Sequence, residues 1–125
     1  MPTKTEQLYA FLYDKEEQLT MKYDVGLEPY GIPYYSKVFT ITKKDICDYI
    51  RKNYTLSNLP FTRSSPSRKD GFYIIPMSDS TGYRIYYQKN CIRSKEIVAN
   101  NENEALYQYV NLRLLFSTSG IEENS

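Results

Sequence analysis

Residues 71–116, GFYIIPMSDSTGYRIYYQKNCIRSKEIVANNENEALYQYVNLRLLF, change hydrophobic period once, and that change decides the fold. Tyr73, Ile75 and Met77 alternate with Phe72, Ile74 and Pro76; after a polar turn at Asp79 to Gly82, Tyr83, Ile85 and Tyr87 alternate with Arg84, Tyr86 and Gln88. Alternation of period two among aromatic and β-branched side chains is the pattern of half-buried strands. A second turn at Lys89, Asn90 and Cys91 leads to a third strand over residues 92–98, which makes an antiparallel meander. Pro76 has no N–H to give to a ladder, so the first strand has an edge or an end there. At Asn101 the period lengthens. Asn101 with Glu104 caps a helix in which Ala105, Leu106, Tyr109, Val110, Leu112 and Phe116 form a broad apolar face.

Upstream, Thr3 with Glu6 forms a capping-box pattern, and Leu8, Phe11, Leu12, Leu19 and Tyr23 fall on one stripe, predicting a single helix over residues 4–22. Gly26, Pro29, Gly31 and Pro33 make residues 24–35 an irregular connection, and residues 36–41 read as a short strand. Thr42 with Asp45 caps a second helix that turns Ile46, Tyr49 and Ile50 inward and ends near Asn53. Residues 55–70, TLSNLPFTRSSPSRKD, lack periodicity and read as one long basic loop. The expected architecture is α+β: a three- to four-stranded antiparallel sheet with helices packed on one face, in one domain over residues 1–125 with a frayed tail from about 117.

Fourteen tyrosines stand against no histidine and no tryptophan. Without imidazole, Ser/His/Asp and Cys/His catalysis are excluded, along with metal sites that need a histidine ligand. Carboxylate chemistry is the main route left, and Asp14 with Glu17 and Asp45 with Asp48 each lie one turn apart; both pairs sit beside lysines and read as solvated ion pairs. No phosphate cradle, dinucleotide fingerprint, nucleophile elbow or zinc spacing occurs, so no enzyme activity, cofactor or metal is expected. Cys47 and Cys91 read as free thiols. No stretch of the chain has the length and apolarity of a signal peptide or a membrane span, and a cytoplasmic location is the expectation.

The net charge of +1 is unevenly spread. Residues 1–36 carry three basic and six acidic groups, residues 37–95 twelve and four, and residues 96–125 one and five. Such a chain either presents a basic surface between acidic ones, suited to steering a partner, or neutralises itself on folding. Arg113, on the apolar side of the last helix, either pairs with Glu102 or a sheet carboxylate or, as we expect, snorkels with its own helix's dipole in its favour.

The stretch from Gly82 to Leu115 is similar in layout to the ends of small immunity proteins from bacterial polymorphic-toxin and contact-dependent growth inhibition systems. The shared order is a Gly-aromatic strand, here Gly82, Tyr83, Tyr86 and Tyr87, a second strand, an acidic cap at residues 100–104, and an amphipathic helix from Ala105 through Tyr109 to Leu115. The resemblance implies a cytosolic antitoxin that binds one cognate toxin domain, often a nuclease. The contact residues expected on this chain are Tyr30, Tyr34 and Tyr35 in the proline-rich connection, with Arg84, Tyr86 and Gln88 on the sheet face opposite the helices. Arg84 paired across strands with Glu96 is the competing reading. The alternative function is a small nucleic-acid-binding module whose basic and aromatic residues stack bases on that same sheet face.

Overall fold

The structure is a computed structural model that describes residues 2–23, 38–117 and 121. Along these residues the chain forms α1 (Lys4–Leu12), α2 (Glu16–Lys22), α3 (Lys43–Asn53), β1 (Thr62–Arg63), β2 (Gly71–Pro76), β3 (Tyr83–Lys89), β4 (Ile92–Ala99) and α4 (Glu102–Leu115). The fold is α+β, with one four-stranded sheet in the order β1-β2-β3-β4. The meander pairs as the alternation requires, with Ile74 opposite Ile85 and Ile85 opposite Ile97. β1 departs from the expected loop: Thr62 and Arg63 pair in parallel with Phe72 and Tyr73, which makes the sheet mixed rather than wholly antiparallel. Two residues are too few to carry a period, so nothing in residues 55–70 announces this strand.

One face of the sheet packs on α4. Ile74 and Ile85 are buried there, and Phe72 meets Tyr109 edge-on with ring centroids 6.5 Å apart. Ala105, Leu106, Tyr109 and Val110 of α4 are buried as the apolar face requires, and Asn101 accepts a hydrogen bond from the Glu104 amide. α3 completes the layer. Its capping box is formed in both directions between Thr42 and Asp45, and Ile46 and Ile50 are buried in the core. Removing each of these isoleucines from water contributes about 2 kcal/mol. Gly82 stands where β3 meets the end of β4; a Cβ there would lie 2.9 Å from the Ala99 carbonyl oxygen, closer than any side chain tolerates. Opposite Tyr86 the register of β4 slips, and Lys95 at φ +55° marks the bulge.

The expected first helix is broken in two. Asp14 takes φ +56°, and the Lys15 amide reaches back to the Ala10 carbonyl at 2.7 Å, the six-residue return of a helix ended by a left-handed residue. Asp fills the place that glycine more often holds, so the stripe from Leu8 to Tyr23 continues in sequence while the helix stops. The strand expected over residues 36–41 is not formed in its described part, residues 38–41, although Val38, Phe39 and Ile41 are buried. Gln7 of α1 supplies a substitute for a neighbouring strand. Its side-chain oxygen accepts from the amides of Thr40 at 2.7 Å and Ile41 at 3.1 Å, and its nitrogen donates to the Pro2 carbonyl and to Thr40 Oγ1. Ile121, read from sequence as part of a polar tail, is buried in the core.

Candidate functional site

The sheet face opposite α4 is largely filled. Tyr73 and Tyr86, paired across β2 and β3, stack with centroids 4.7 Å apart and an interplanar angle of 10°, and both are fully buried. Residues 67–69 fold over this face. Tyr73 Oη pairs with Ser67 Oγ at 2.7 Å and donates to the Lys69 carbonyl, while Gln88 Nε2 donates to the carbonyls of Ser67 at 2.8 Å and Lys69 at 3.1 Å. Arg93 lies over the Tyr86 ring at 4.4 Å. Gln88, expected as a contact residue, therefore holds the sheet to its own loop, while Tyr86, also expected as one, is buried between Tyr73 and Arg93 with its Oη without a hydrogen-bond partner among the described residues. Arg84 is half-exposed and pairs with Glu96 at 2.7 Å, the cross-strand partner expected under the competing reading. With Tyr73 and Tyr86 buried, these two rings offer no open platform for stacking bases. Tyr30, Tyr34 and Tyr35 lie outside the described residues.

The arrangement with chemical content lies elsewhere, in a half-open cleft of about 550 Å³ where the α1–α2 turn, the start of β2 and the end of α4 meet. Asp14 and Glu16 reach it from the turn, Phe61 to Arg63 from the approach to β1, Asp70 to Phe72 from the start of β2, Tyr87 from β3, and Arg113, Phe116 and Ser117 from the end of α4. Three of its rings form a wall: Phe72 with Tyr87 at 5.1 Å, Phe72 with Phe116 at 5.6 Å, and Tyr87 with Phe116 at 4.4 Å. Left-handed backbone concentrates at its rim. Asp14 at +56°, Phe61 at +53° and Gly71 at +137° all line it, and for a residue as bulky as Phe61 this conformation is strained. The strain turns the Phe61 ring outward, 64% exposed, with its edge against Tyr13, which stacks in turn on the exposed Tyr9 at 4.4 Å. An aromatic ridge thus runs from α1 to the mouth of the cleft.

Arg113 forms the floor. It is 6% exposed, and it neither snorkels nor pairs with Glu102 or a sheet carboxylate. Its Nη2 donates to the Phe11 carbonyl at 2.7 Å and the Leu12 carbonyl at 3.3 Å, and its Nη1 to Tyr109 Oη at 2.7 Å; Tyr109 Oη in turn pairs with Thr62 Oγ1 at 2.6 Å. The expectation that a helix dipole would hold this cation is right in kind but misplaces the helix: the carbonyls are those of α1, left open where Asp14 breaks it. The guanidinium also stands over the rings of Phe11 at 5.1 Å and Phe72 at 5.2 Å.

Glu16 is a half-buried charge. Its Oε2 accepts from Ser117 Oγ at 2.9 Å, and no lysine or arginine nitrogen lies within 4.0 Å of it among the described residues. Burial pushes its carboxyl up from the ordinary range, against smaller lowering effects from the Ser117 hydrogen bond and the Arg113 charge. A half-buried carboxyl without a cation partner, beside aromatic walls, makes this cleft the candidate site. Sequence reasoning passed over this site because its parts come from five segments, and Glu16 and the buried Arg113 carry no local motif. The clue available was Arg113 itself, a cation on an apolar helix face.

Among the described residues no group of three or more His, Cys, Asp or Glu is arranged to hold a metal ion, and no helix is long and apolar enough to cross a membrane. No protein-family model, no curated protein and no solved structure matches this chain.

Proposed function

We propose that this chain is an immunity protein that acts in the cytoplasm by stoichiometric binding to a cognate toxin domain, a nuclease by preference, without turnover. One observation supports this most: the Phe61 ring, held outward by strained left-handed backbone at the mouth of a charged cleft. A bulky ring fixed in water is costly in a monomer and useful in an interface, where a preformed aromatic anchor loses little entropy on binding. Tyr9 and Tyr13 extend the same surface, and Phe116, also exposed, flanks the cleft from the other side. The similarity of residues 82–115 to immunity-protein endings points to the same class, although the contact surface moves from the outer sheet face to the α1–α2 side.

The test is co-expression with, and pull-down by, toxin domains encoded beside the gene for this chain. Protection of growth together with a 1:1 complex supports the reading. Absence of any protein partner, combined with binding of single-stranded oligonucleotides that weakens steeply with salt, contradicts it and favours a nucleic-acid module.

A further inference from the structure

We infer that the cleft receives a basic side chain, arginine or lysine, presented by the bound protein; the source of that side chain rests on the function proposed above, whereas the chemistry of the cleft does not. The C-termini of two helices converge here. α1 ends at Leu12 with Asp14 just beyond its cap, α4 ends at Leu115 with Phe116 as its cap, and Asp14 and Phe116 both line the cleft, so the negative ends of both dipoles border it. Asp14, Glu16 and Asp70 add three carboxylates. Against them stand Arg113, whose charge is already answered by the carbonyls of Phe11 and Leu12, and Arg63 at the rim. Local charge is therefore negative, and a carboxylate or phosphate ligand is disfavoured.

The exposed Asp14 side chain has no hydrogen bond or ion pair among the described residues, Glu16 accepts only from Ser117 and Asp70 only from the Asn90 amide, so no cation within salt-bridge distance answers the three carboxylates. The same carboxylates are not grouped closely enough to share one metal ion. A cation spread over a planar or ammonium head, on an aliphatic stem, fits better: its head meets Asp14 and Glu16 while its stem lies on Phe61 and Phe116. Arg113 provides the internal precedent, a guanidinium already resting on Phe72. The volume of about 550 Å³ accommodates one long side chain with its solvent.

The test titrates the intact chain with N-acetyl-arginine amide and, separately, with the uncharged isostere N-acetyl-citrulline amide, followed by amide resonances. Saturable shifts at Phe61, Gly71 and Ser117 with the arginine probe alone, weakened about tenfold by Glu16→Gln and by Asp14→Asn, are the expected result. Asp14→Asn keeps a residue that tolerates left-handed backbone, so it reads binding even where Glu16→Gln alters folding. Equal shifts with the citrulline amide, or shifts unaffected by both substitutions, overturn the proposal. Spermidine binding more than about a hundredfold tighter than the arginine probe overturns the assignment to a side chain. A chain that binds the arginine probe but no toxin domain refutes the function and keeps the cleft; a toxin complex unmoved by both substitutions does the reverse.

Discussion

Arg113 donates to the carbonyl of Phe11 at 2.7 Å across 102 residues of sequence, so the last helix of the chain caps the first. The bond is possible because Asp14 ends α1 early and leaves two carbonyls facing the core. Replacing Arg113 by methionine keeps the apolar stem of the side chain but leaves those carbonyls and Tyr109 Oη without their donor. We expect a loss of about 3 kcal/mol, read from the urea midpoint, with faster amide exchange at Tyr13 and Lys15. Arg113→Lys recovers only part, since an ammonium cannot span three acceptors in the geometry of a planar fork.

Gln7 gives a second, independent check. Its side-chain oxygen serves the amides of both Thr40 and Ile41, neither of which lies in a strand. Gln7→Leu keeps a side chain of similar size and takes the shared acceptor from the part-buried Thr40 amide and the buried Ile41 amide, at a cost of about 2 kcal/mol. Hydrogen exchange at Thr40 and Ile41 should rise while exchange in β3 stays close to the wild-type pattern; unchanged exchange at these two amides would count against the role assigned to Gln7.

How far the fold was legible follows from these same residues. The meander and α4 were readable because the side chains of β2, β3 and α4 repeat the period that the sheet or helix enforces. The α1 break was not, because Asp14 in left-handed backbone leaves the hydrophobic stripe intact. Residues 38–41 carried a strand's composition, yet no strand is assigned there and Gln7 of α1 takes the amides of Thr40 and Ile41. The alternation places Tyr86 on the face opposite the helices, which is correct for the face and misleading for exposure, because Tyr73 and Arg93 cover its ring. The cleft was legible only in fragments. Its Arg113 was conspicuous, while its partner carbonyls, the strain at Phe61 and the burial of Glu16 exist only in three dimensions.

The pH dependence separates Glu16 from the capping carboxylates. Burial raises the Glu16 pKa in the folded chain, so its contribution to stability is fully present below the ordinary carboxylate pKa and is lost as pH rises through the raised value. Glu6 and Asp45 have lowered values, chiefly from the backbone amides of Thr3 and Thr42, and their contributions are lost as pH falls through those lowered values. Glu16→Gln should therefore raise the Tm at pH 7, and the gain should vanish on acidification below the ordinary carboxylate range. Glu6→Gln should lower the Tm at pH 7 and converge with wild type only at still lower pH.

Phe61→Gly separates stability from recognition. Glycine relieves about 1 kcal/mol of left-handed strain and loses the edge contact with Tyr13, so thermal stability should change little. Partner affinity should fall by about thirtyfold or more, the loss typical of a central aromatic anchor.

Calorimetric titration of the purified chain against the adjacent toxin domain, run in parallel for wild type and Phe61→Gly, is the most direct test of neutralisation by binding through the cleft side. A 1:1 complex that abolishes toxin activity, weakened by Phe61→Gly without loss of fold, is the expected result. No complex, or a complex of the same affinity with the variant, would contradict it.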